Sequence, residues 1–251
     1  MLRKRIIPCL LIKDERLVKT VKFKNPIYIG DPINAIKIFN DKETDELVFI
    51  DINAKKSQGP NFELINKITS ECFMPIAYGG GITNLQQIQK LFQIGVEKVI
   101  LGKSIFNETE LIKEAVKQFG SQSITAIIDI KKPLFSSKKS VYTNDGTLNT
   151  KKNPLEFCQY LEQLGVGEII LQSIDREGTR LGYDIELIEL ISKKTNIPIV
   201  ALGGANNTTD FQKAFTAGAS AVGAGTFFTL KPPHNAVLIS YLEETDFKLF
   251  T

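Results

Sequence analysis

Short runs of β-branched and other apolar residues recur along the whole chain, each bounded by Gly, Pro, Asp or Asn. Most runs are nearly continuous in apolar residues, which is typical of parallel strands that are covered on both faces. The pattern predicts eight strands, at Arg5 to Lys13, Glu46 to Asn53, Pro75 to Gly81, Lys98 to Ser104, Ile124 to Lys132, Glu168 to Asp175, Pro198 to Gly204 and Ala221 to Phe227.

Segments with apolar residues at spacings of three and four lie between these strands and predict amphipathic helices. The clearest are Leu85 to Ile94, Glu108 to Phe119, Pro154 to Gln163, Ile185 to Lys194 and Asp210 to Ala217. A strand–helix alternation repeated eight times favours a (β/α)8 barrel, an α/β fold, over a doubly wound sheet. A doubly wound nucleotide-binding sheet would also be expected to carry G-x-G-x-x-G after its first strand, and this chain does not. We expect residues 1–251 to form a single TIM-barrel domain.

An internal repeat supports the barrel. The segment PIAYGGGITNLQQIQKLFQIGVEKVILGKS, from Pro75, aligns without a gap to PIVALGGANNTTDFQKAFTAGASAVGAGTF, from Pro198, at an offset of 123 residues. ELVFIDI from Glu46 and EIILQSI from Glu168 form a second pair with nearly the same offset. Self-similarity over about half of a chain indicates a duplicated fold, and we therefore expect two homologous half-barrels.

Composition limits the classes of function. The 251 residues carry a net charge of only +3, too small a surplus for nucleic acid to be the main ligand. The three cysteines form neither a metal-binding pattern nor an even disulfide framework, which fits a reducing compartment such as the cytoplasm. No apolar run approaches the roughly 18 residues of a membrane span. We expect a cytoplasmic protein that uses no metal and no organic cofactor.

Glycines gather at the ends of the third, fourth, seventh and eighth predicted strands, where TIM barrels commonly hold phosphate. One interpretation is that they only turn the chain. Their recurrence at equivalent positions of the repeat favours two anion sites and a ligand with a phosphate at each end. The candidate phosphate-binding residues are Gly80, Gly81, Gly102, Lys103, Ser104, Gly203, Gly204, Gly225 and Thr226.

Asp129 is the candidate acid–base residue. It lies among apolar residues near the end of the fifth strand, where desolvation would raise its pKa, although a hydrogen-bonded structural role is the alternative. The first and fifth strands align at an offset of 118, which places Leu11 opposite Asp129 in the repeat. The only histidine, His234, lies near the C-terminus, so a histidine base beside a nucleophile is not expected.

Several motifs together resemble one family over nearly the whole chain. They include MLRKRIIPCLLIKDERLVK at the N-terminus, DELVFIDI from Asp45, GGGI from Gly79, SIDREGT from Ser173 and GYD from Gly182. In order and spacing they resemble the cyclase subunit of imidazole glycerol phosphate synthase. The resemblance implies a (β/α)8 barrel that forms a heterodimer with a HisH-like glutaminase subunit. It also implies that ammonia crosses the barrel to a bis-phosphorylated ribonucleotide intermediate, whose imidazole ring is then closed.

The resemblance also implies site residues, with one departure. Asp129, Asp51 and Lys19 match catalytic positions of the family, but a second catalytic aspartate, on the first strand, falls on Leu11. Losing a general acid or base typically costs 10²- to 10⁴-fold in rate, so competent cyclisation is not expected. Gly102 and Lys103 replace a pair of Asn-Thr type, and Gln172 stands where a small hydroxyl residue is usual.

The opposite end of the predicted barrel keeps the family pattern. The resemblance implies an ammonia gate of four charged residues, Arg5, Glu46, Lys98 and Glu168. From the residues alone, a stabilising ring of salt bridges explains these charges equally well. Because the chain has no Cys/His glutaminase dyad, a partner must supply any ammonia made from glutamine.

A kept gate and a missing carboxylate predict a paralogue that docks a glutaminase but delivers ammonia to other chemistry. Such paralogues are associated with a separate sugar amidotransferase and with converting an acetamido to an acetamidino group on surface sugars, including lipopolysaccharide. The alternatives are a genuine histidine-pathway cyclase and a noncatalytic scaffold that activates the glutaminase. The lysines of residues 131–152 predict a solvated loop more than a nucleic-acid site.

Overall fold

Eight parallel strands close into a barrel in this chain, of which the computed structural model describes residues 4–54, 59–134, 136 and 138–247. The described strands are, in chain order, β1 (Arg5–Lys13), β2 (Arg16–Val21), β3 (Lys24–Gly30), β4 (Leu47–Asp51), β5 (Ile76–Gly79), β6 (Lys98–Leu101), β7 (Ile124–Lys131), β8 (Ser140–Thr143), β9 (Leu148–Asn149), β10 (Glu168–Ser173), β11 (Ile199–Leu202), β12 (Ala221–Ala224), β13 (Leu230–Lys231) and β14 (Ala236–Val237).

The barrel is formed by β1, β4, β5, β6, β7, β10, β11 and β12, each paired in parallel with the next. It closes because β12 pairs with β1. The (β/α)8 fold predicted from the strand–helix alternation is therefore confirmed. The inward side chains fill the lumen with a small apolar cluster, and the outward ones pack in a larger core beneath the helices. Burial on both faces explains why the strands are apolar almost without interruption.

Helices follow the barrel strands and cover their outer face. They are α1 (Pro32–Asp41), α2 (Phe62–Glu71), α3 (Leu85–Gln93), α4 (Thr109–Phe119), α5 (Pro154–Gln163), α6 (Ile185–Ser192), α7 (Thr208–Thr216), α8 (Thr226–Thr229) and α9 (Glu244–Phe247), with short 3-10 turns at Lys103–Phe106 and Ser121–Ser123. The predicted fourth and eighth strands end early, at Leu101 and Ala224, because a short helix begins two residues later in each case.

The duplicated architecture is visible in the bounds of the elements. Strand β5 corresponds to β11, α3 to α7 and β6 to β12, each at the offset of 123 residues seen in the sequence. Asn84 and Asn207 occupy equivalent positions and cap α3 and α7 in the same extended conformation, each accepting a hydrogen bond from a backbone N–H of the first turn. Side-chain caps of this kind stabilise helix starts, so both halves begin these helices by the same device.

Two antiparallel hairpins extend the barrel at its C-terminal end, and the strand prediction missed both. Strands β2 and β3 follow β1, and strands β8 and β9 follow β7. The prediction of a solvated loop over residues 131–152 is therefore wrong for Ser140–Thr143, where Val141 and Tyr142 are buried and pair with β7. Phe135 and Ser137 of the lysine-rich segment lie outside the described residues.

Within the described ranges, no helix combines the length and the apolar character needed to cross a bilayer.

Candidate active site

A cavity of about 780 Å³ opens at the C-terminal ends of the barrel strands. Its lining includes every catalytic and phosphate-binding residue predicted from the sequence, namely Asp129, Asp51, Lys19, Gly80, Gly81, Gly102, Lys103, Ser104, Gly203, Gly204, Gly225 and Thr226. These residues are spread over more than 200 positions of the chain. The closure of the barrel brings them together.

Two walls of this cavity differ in polarity although the repeat makes them equivalent. Leu11 on β1 is paired in register with Ile50 on β4, and both are half-buried and apolar. Asp129 on β7 is paired in register with Gln172 on β10. One wall therefore presents two aliphatic side chains, and the other presents a carboxylate beside a carboxamide.

Lys19 lies deep in the cavity wall and forms an ion pair with Glu177, with both side chains nearly inaccessible to solvent. Its ammonium also donates a hydrogen bond to the carbonyl of Thr20 at 2.9 Å. Burial lowers the pKa of Lys19 to about 7, since desolvation disfavours the charged form. The pair joins the β2 strand to the turn after β10, and Lys22 adds a backbone bond to the carbonyl of Glu177.

Asp51 lies at the end of β4 with its carboxylate half-buried. Burial raises its pKa, and hydrogen bonds from the backbone N–H groups of Asn53 and Ala54 oppose that shift. The nearby hydroxyl of Tyr78 has its own pKa raised, first by burial and then by the charge of Asp51. Among the residues that the structure describes, this hydroxyl has no partner that satisfies hydrogen-bond geometry.

The glycine pairs at the strand ends are needed by the fold itself. Gly80 has φ +142° and Gly203 has φ +99°, both in the region that side chains other than hydrogen disfavour. A Cβ atom on Gly80 would lie 2.7 Å from the carbonyl oxygen of Asp51, and one on Gly203 would lie 2.8 Å from that of Ser173. Packing therefore explains these glycines without a ligand. By contrast, Gly102 has a negative φ of −109°, and a Cβ there would meet only Ile127 at 3.3 Å.

Two short helices begin at equivalent glycines on the cavity rim. Neither the turn after Gly102 nor α8 after Gly225 is capped by a side chain. The hydroxyl groups of Ser104 and Thr226 are buried, and within the described part of the chain neither has a hydrogen-bond partner. Lys103 is exposed on the rim. Helix starts without side-chain caps suit an anion such as phosphate, because the N–H groups of a first turn have no intrahelical partner.

Four charged side chains form a closed ring at the N-terminal end of the barrel. Arg5 donates to Glu46 at 2.5 Å and also forms an ion pair with Glu168. Lys98 lies 3.0 Å from Glu46 and 3.5 Å from Glu168. Burial acts to lower the pKa of Arg5, but the two carboxylates offset this and raise it. The four residues singled out in the sequence are thus in mutual contact.

The lumen lies between the charged ring and the cavity. Its lining above the ring is aliphatic apart from Thr125. The hydroxyl of Thr125 is buried and, among described residues, has no hydrogen-bond partner. The remaining lining residues are Ile7, Val48, Ala77, Ile100, Ile170 and Val200.

The structure gives roles around the cavity to residues that the sequence motifs left without one. Glu177 lies within the SIDREGT motif, but only the folded chain brings it to Lys19 from 158 positions away. Lys139 pairs with Asp184, the N-cap of α6, and so fastens the lysine-rich segment to the barrel. In the described ranges, no group of three or more His, Cys, Asp and Glu side chains is arranged to hold a metal ion.

A model of the histidine biosynthesis protein family matches residues 5–231. The chain belongs to this family. Within it, the chain is 49% identical over 243 residues, 96% of each sequence, to a Pseudomonas aeruginosa protein named "Putative imidazole glycerol phosphate synthase subunit hisF2". It is 44% identical over 98% of each sequence to a Leptospira borgpetersenii protein named "Putative imidazole glycerol phosphate synthase subunit HisF". It is 40% identical over 98% of each sequence to the imidazole glycerol phosphate synthase subunit HisF of a Hydrogenobaculum species. The resemblance to the cyclase-subunit family is therefore confirmed.

Proposed function

We propose that this chain is the synthase-type subunit of a glutamine amidotransferase complex, in which it receives ammonia from a glutaminase and conducts it to the cavity. The observation that carries the proposal is the ring of Arg5, Glu46, Lys98 and Glu168 at one end of a lumen lined by aliphatic side chains, with the cavity at the other end of the same barrel. Ammonia is small and uncharged, so an aliphatic lumen admits it at far lower cost than an ion once the side chains that fill the lumen move apart. The HisH-like glutaminase docks on the face that carries the ring.

The acceptor is the second part of the proposal. Leu11 supplies no proton-transferring group opposite Asp129, which removes half of a two-carboxylate mechanism. We therefore infer that the ammonia serves another reaction, the conversion of an acetamido group on a surface sugar to an acetamidino group. In that reaction ammonia forms a C–N bond at the amide carbon, and the amide oxygen leaves with the phosphoryl or adenylyl group that a nucleoside triphosphate has transferred to it. A sugar amidotransferase, as a third protein, activates that oxygen.

The cavity also suits a bis-phosphorylated small molecule. The uncapped starts of the turn after Gly102 and of α8 after Gly225 lie at the ends of separate strand pairs of the rim, which supports one phosphate at each. Such a ligand is an effector, whose binding in the cavity would activate the glutaminase. We assign no role in binding nucleic acid or membrane.

A genuine cyclase of histidine biosynthesis is the second candidate. The observation in its favour is Lys19, whose pKa of about 7 lets it exchange a proton at neutral pH and so stand in for the missing carboxylate. The two candidates differ in one measurable property, the closure of an imidazole ring by the purified chain.

The deciding experiment is cyclisation of the histidine-pathway ribonucleotide substrate with saturating ammonium, run with the unmodified chain and with Leu11→Asp. The Hydrogenobaculum relative serves as the positive control. We expect no turnover by the unmodified chain. Turnover on the order of 1 per second or more would overturn the amidination proposal and establish the cyclase.

A second experiment separates conduction from a purely structural activation of the glutaminase. Ala77 lines the lumen and is 2% exposed, so Ala77→Met narrows the passage and Ala77→Ser is the matched control. In a reconstituted reaction with ¹⁵N-amide glutamine and unlabelled ammonium, we expect Ala77→Met to shift the nitrogen of the product towards the unlabelled source. An unchanged isotope ratio would overturn conduction and favour the noncatalytic scaffold.

A further inference from the structure

Phe73 is an aromatic residue that packing within this chain does not explain. It is 87% exposed and lies in the loop between α2 and β5. Met74, which is half-buried, and Pro75, which is exposed, follow it and extend the apolar surface. An apolar side chain that stays in water gains nothing from the hydrophobic effect, so the fold derives no stability from the phenyl ring.

The backbone that carries Phe73 is held in place by Asn40, near the end of α1. The Asn40 carboxamide accepts a hydrogen bond from the N–H of Phe73 at 3.0 Å and donates one to the carbonyl of Glu71 at 2.7 Å. A side chain presented on a fixed backbone loses less conformational entropy when a partner binds it. The loop is therefore organised in advance to present the phenyl ring.

The equivalent loop of the second half-barrel is held in the same way but presents a polar residue. Phe73 corresponds to Asn196 at the offset of 123 residues. The N–H of Asn196 donates to the Glu162 carboxylate at 2.7 Å, and the carbonyl of Lys194, two residues earlier, accepts from Gln159 at 3.2 Å. The fold thus builds this loop with Asn as well as with Phe. The phenyl ring of Phe73 needs a reason outside the fold.

Phe73 lies on the face of the barrel that carries the charged ring. The carbonyl of Pro75, two residues later, accepts a hydrogen bond from the N–H of Leu47 at 2.9 Å. Leu47 directly follows Glu46, a member of the ring. The apolar loop is therefore beside the entrance through which the proposed function brings ammonia from the glutaminase.

We propose that Phe73 is an anchor residue of the interface with the HisH-like glutaminase, and that its phenyl ring fills an apolar pocket on that subunit. Aromatic side chains are enriched in the cores of protein interfaces, where a Phe buries about 150–250 Å². Met74 and Pro75 extend the apolar contact around the ring. This inference rests on the proposed function, and it adds the contact that holds the glutaminase against the ammonia entrance.

The test measures the affinity of the purified chain for the purified HisH-like glutaminase by isothermal titration calorimetry. Phe73→Asn introduces the residue that the second half-barrel carries at the equivalent position, so the loop keeps its structure. We expect the Kd to rise about tenfold or more, as for the loss of an anchor side chain. The matched control is Leu181→Asn, since Leu181 is 71% exposed in the loop after β10, at the opposite end of the barrel. It should leave the Kd unchanged.

The outcomes separate this inference from the proposed function. Equal affinities of Phe73→Asn and the unmodified chain would overturn the role of Phe73 while leaving the glutaminase complex intact. No binding of the glutaminase by the unmodified chain would overturn the proposed function and this inference with it. Light scattering of the chain alone tests a second copy of the chain as the occupant. A dimer that Phe73→Asn dissociates would overturn the assignment of this surface to the glutaminase.

Discussion

Leu11 and Asp129 occupy equivalent positions in the two half-barrels, each at the point where a barrel strand begins to pair with its own hairpin. Leu11 pairs with Val18 of β2, and Asp129 pairs with Tyr142 of β8. Each also faces a parallel neighbour, Ile50 in the first half and Gln172 in the second. The duplication therefore preserved the backbone here while the chemistry of the two walls diverged.

This equivalence predicts how Leu11→Asp alters stability. A carboxylate placed against Ile50 is partly desolvated, so the free energy of unfolding at pH 7 should fall by about 1–3 kcal/mol. Desolvation raises the folded-state pKa of the new carboxyl, so the folded state holds the proton more tightly and the loss should shrink as the pH falls towards 4. Urea denaturation between pH 4 and 8 measures this. In Leu11→Asn the loss should not vary with pH, and the same pH trend in both variants would contradict the argument.

Breaking the buried ion pair of Lys19 and Glu177 should lower the free energy of unfolding by more than Leu11→Asp does. Glu177→Gln leaves the Lys19 ammonium buried without its counter-ion, which should lower the free energy of unfolding by about 3 kcal/mol at pH 7. Burial then holds the pKa of Lys19 below its unfolded value of about 10.4. Between these two pKa values the unfolded state binds more protons, so the stability of the variant should rise with pH up to about 10.

The double variant Lys19→Met with Glu177→Met is the control for that measurement. It removes both charges, so it should be more stable than Glu177→Gln alone and its stability should not rise between pH 7 and 10. Equal stability of Glu177→Gln and the unmodified chain at pH 7 would contradict the predicted cost of removing the counter-ion.

The charged ring predicts a stability effect at Glu46. This carboxylate is 5% exposed on its side chain and accepts from both Arg5 and Lys98. Glu46→Gln should lower the free energy of unfolding by about 2 kcal/mol, less than the roughly 3–5 kcal/mol typical of fully buried pairs, because both cations are about a quarter exposed. Glu63→Gln, which breaks an exposed pair with Lys67 on α2, is the matched control and should cause no measurable change. Equal effects of the two substitutions in urea denaturation would contradict a role for the ring in stability.

We expect the contribution of Asp51 to stability to vary with pH in the opposite sense to that of a salt-bridged carboxylate. Burial raises its folded-state pKa above the ordinary 3.8, so the folded state binds more protons through that window. The unmodified chain should therefore lose stability through this residue as the pH rises above about 4, and Asp51→Asn should remove that loss. The variant should be at least as stable as the unmodified chain at pH 7. If Asp51→Asn is less stable than the unmodified chain at pH 7, the hydrogen bonds that the Asp51 carboxylate accepts stabilise the fold by more than its desolvation costs.

The fold was predictable from the sequence because burial on both faces leaves a direct trace in each barrel strand. The repeat at an offset of 123 residues also predicted the correspondence of β5 with β11 and of β6 with β12, which the element bounds confirm. The sequence did not predict strand β8 (Ser140–Thr143), because only two of its residues are buried and lysines lie close to them on both sides.

The candidate site was predictable as a set of strand ends but not as a set of interactions. Because parallel strands of a barrel all end at one mouth, the sequence by itself determined that Asp51, Asp129 and the glycines would meet. It also determined that Leu11 supplies no acid–base group, since that depends only on residue identity.

Tertiary structure alone decided which of these groups are satisfied. The partner of Lys19 comes from 158 positions away. That the Gln172 amide nitrogen has no partner among the described residues is apparent only when its neighbours are in place. Whether a glycine is required by packing or left open to a ligand likewise depends on contacts such as that of Gly80 with Asp51. The physical reason is that periodicity records burial along the chain, whereas hydrogen bonds, ion pairs and desolvation depend on distances between segments that the chain order does not specify.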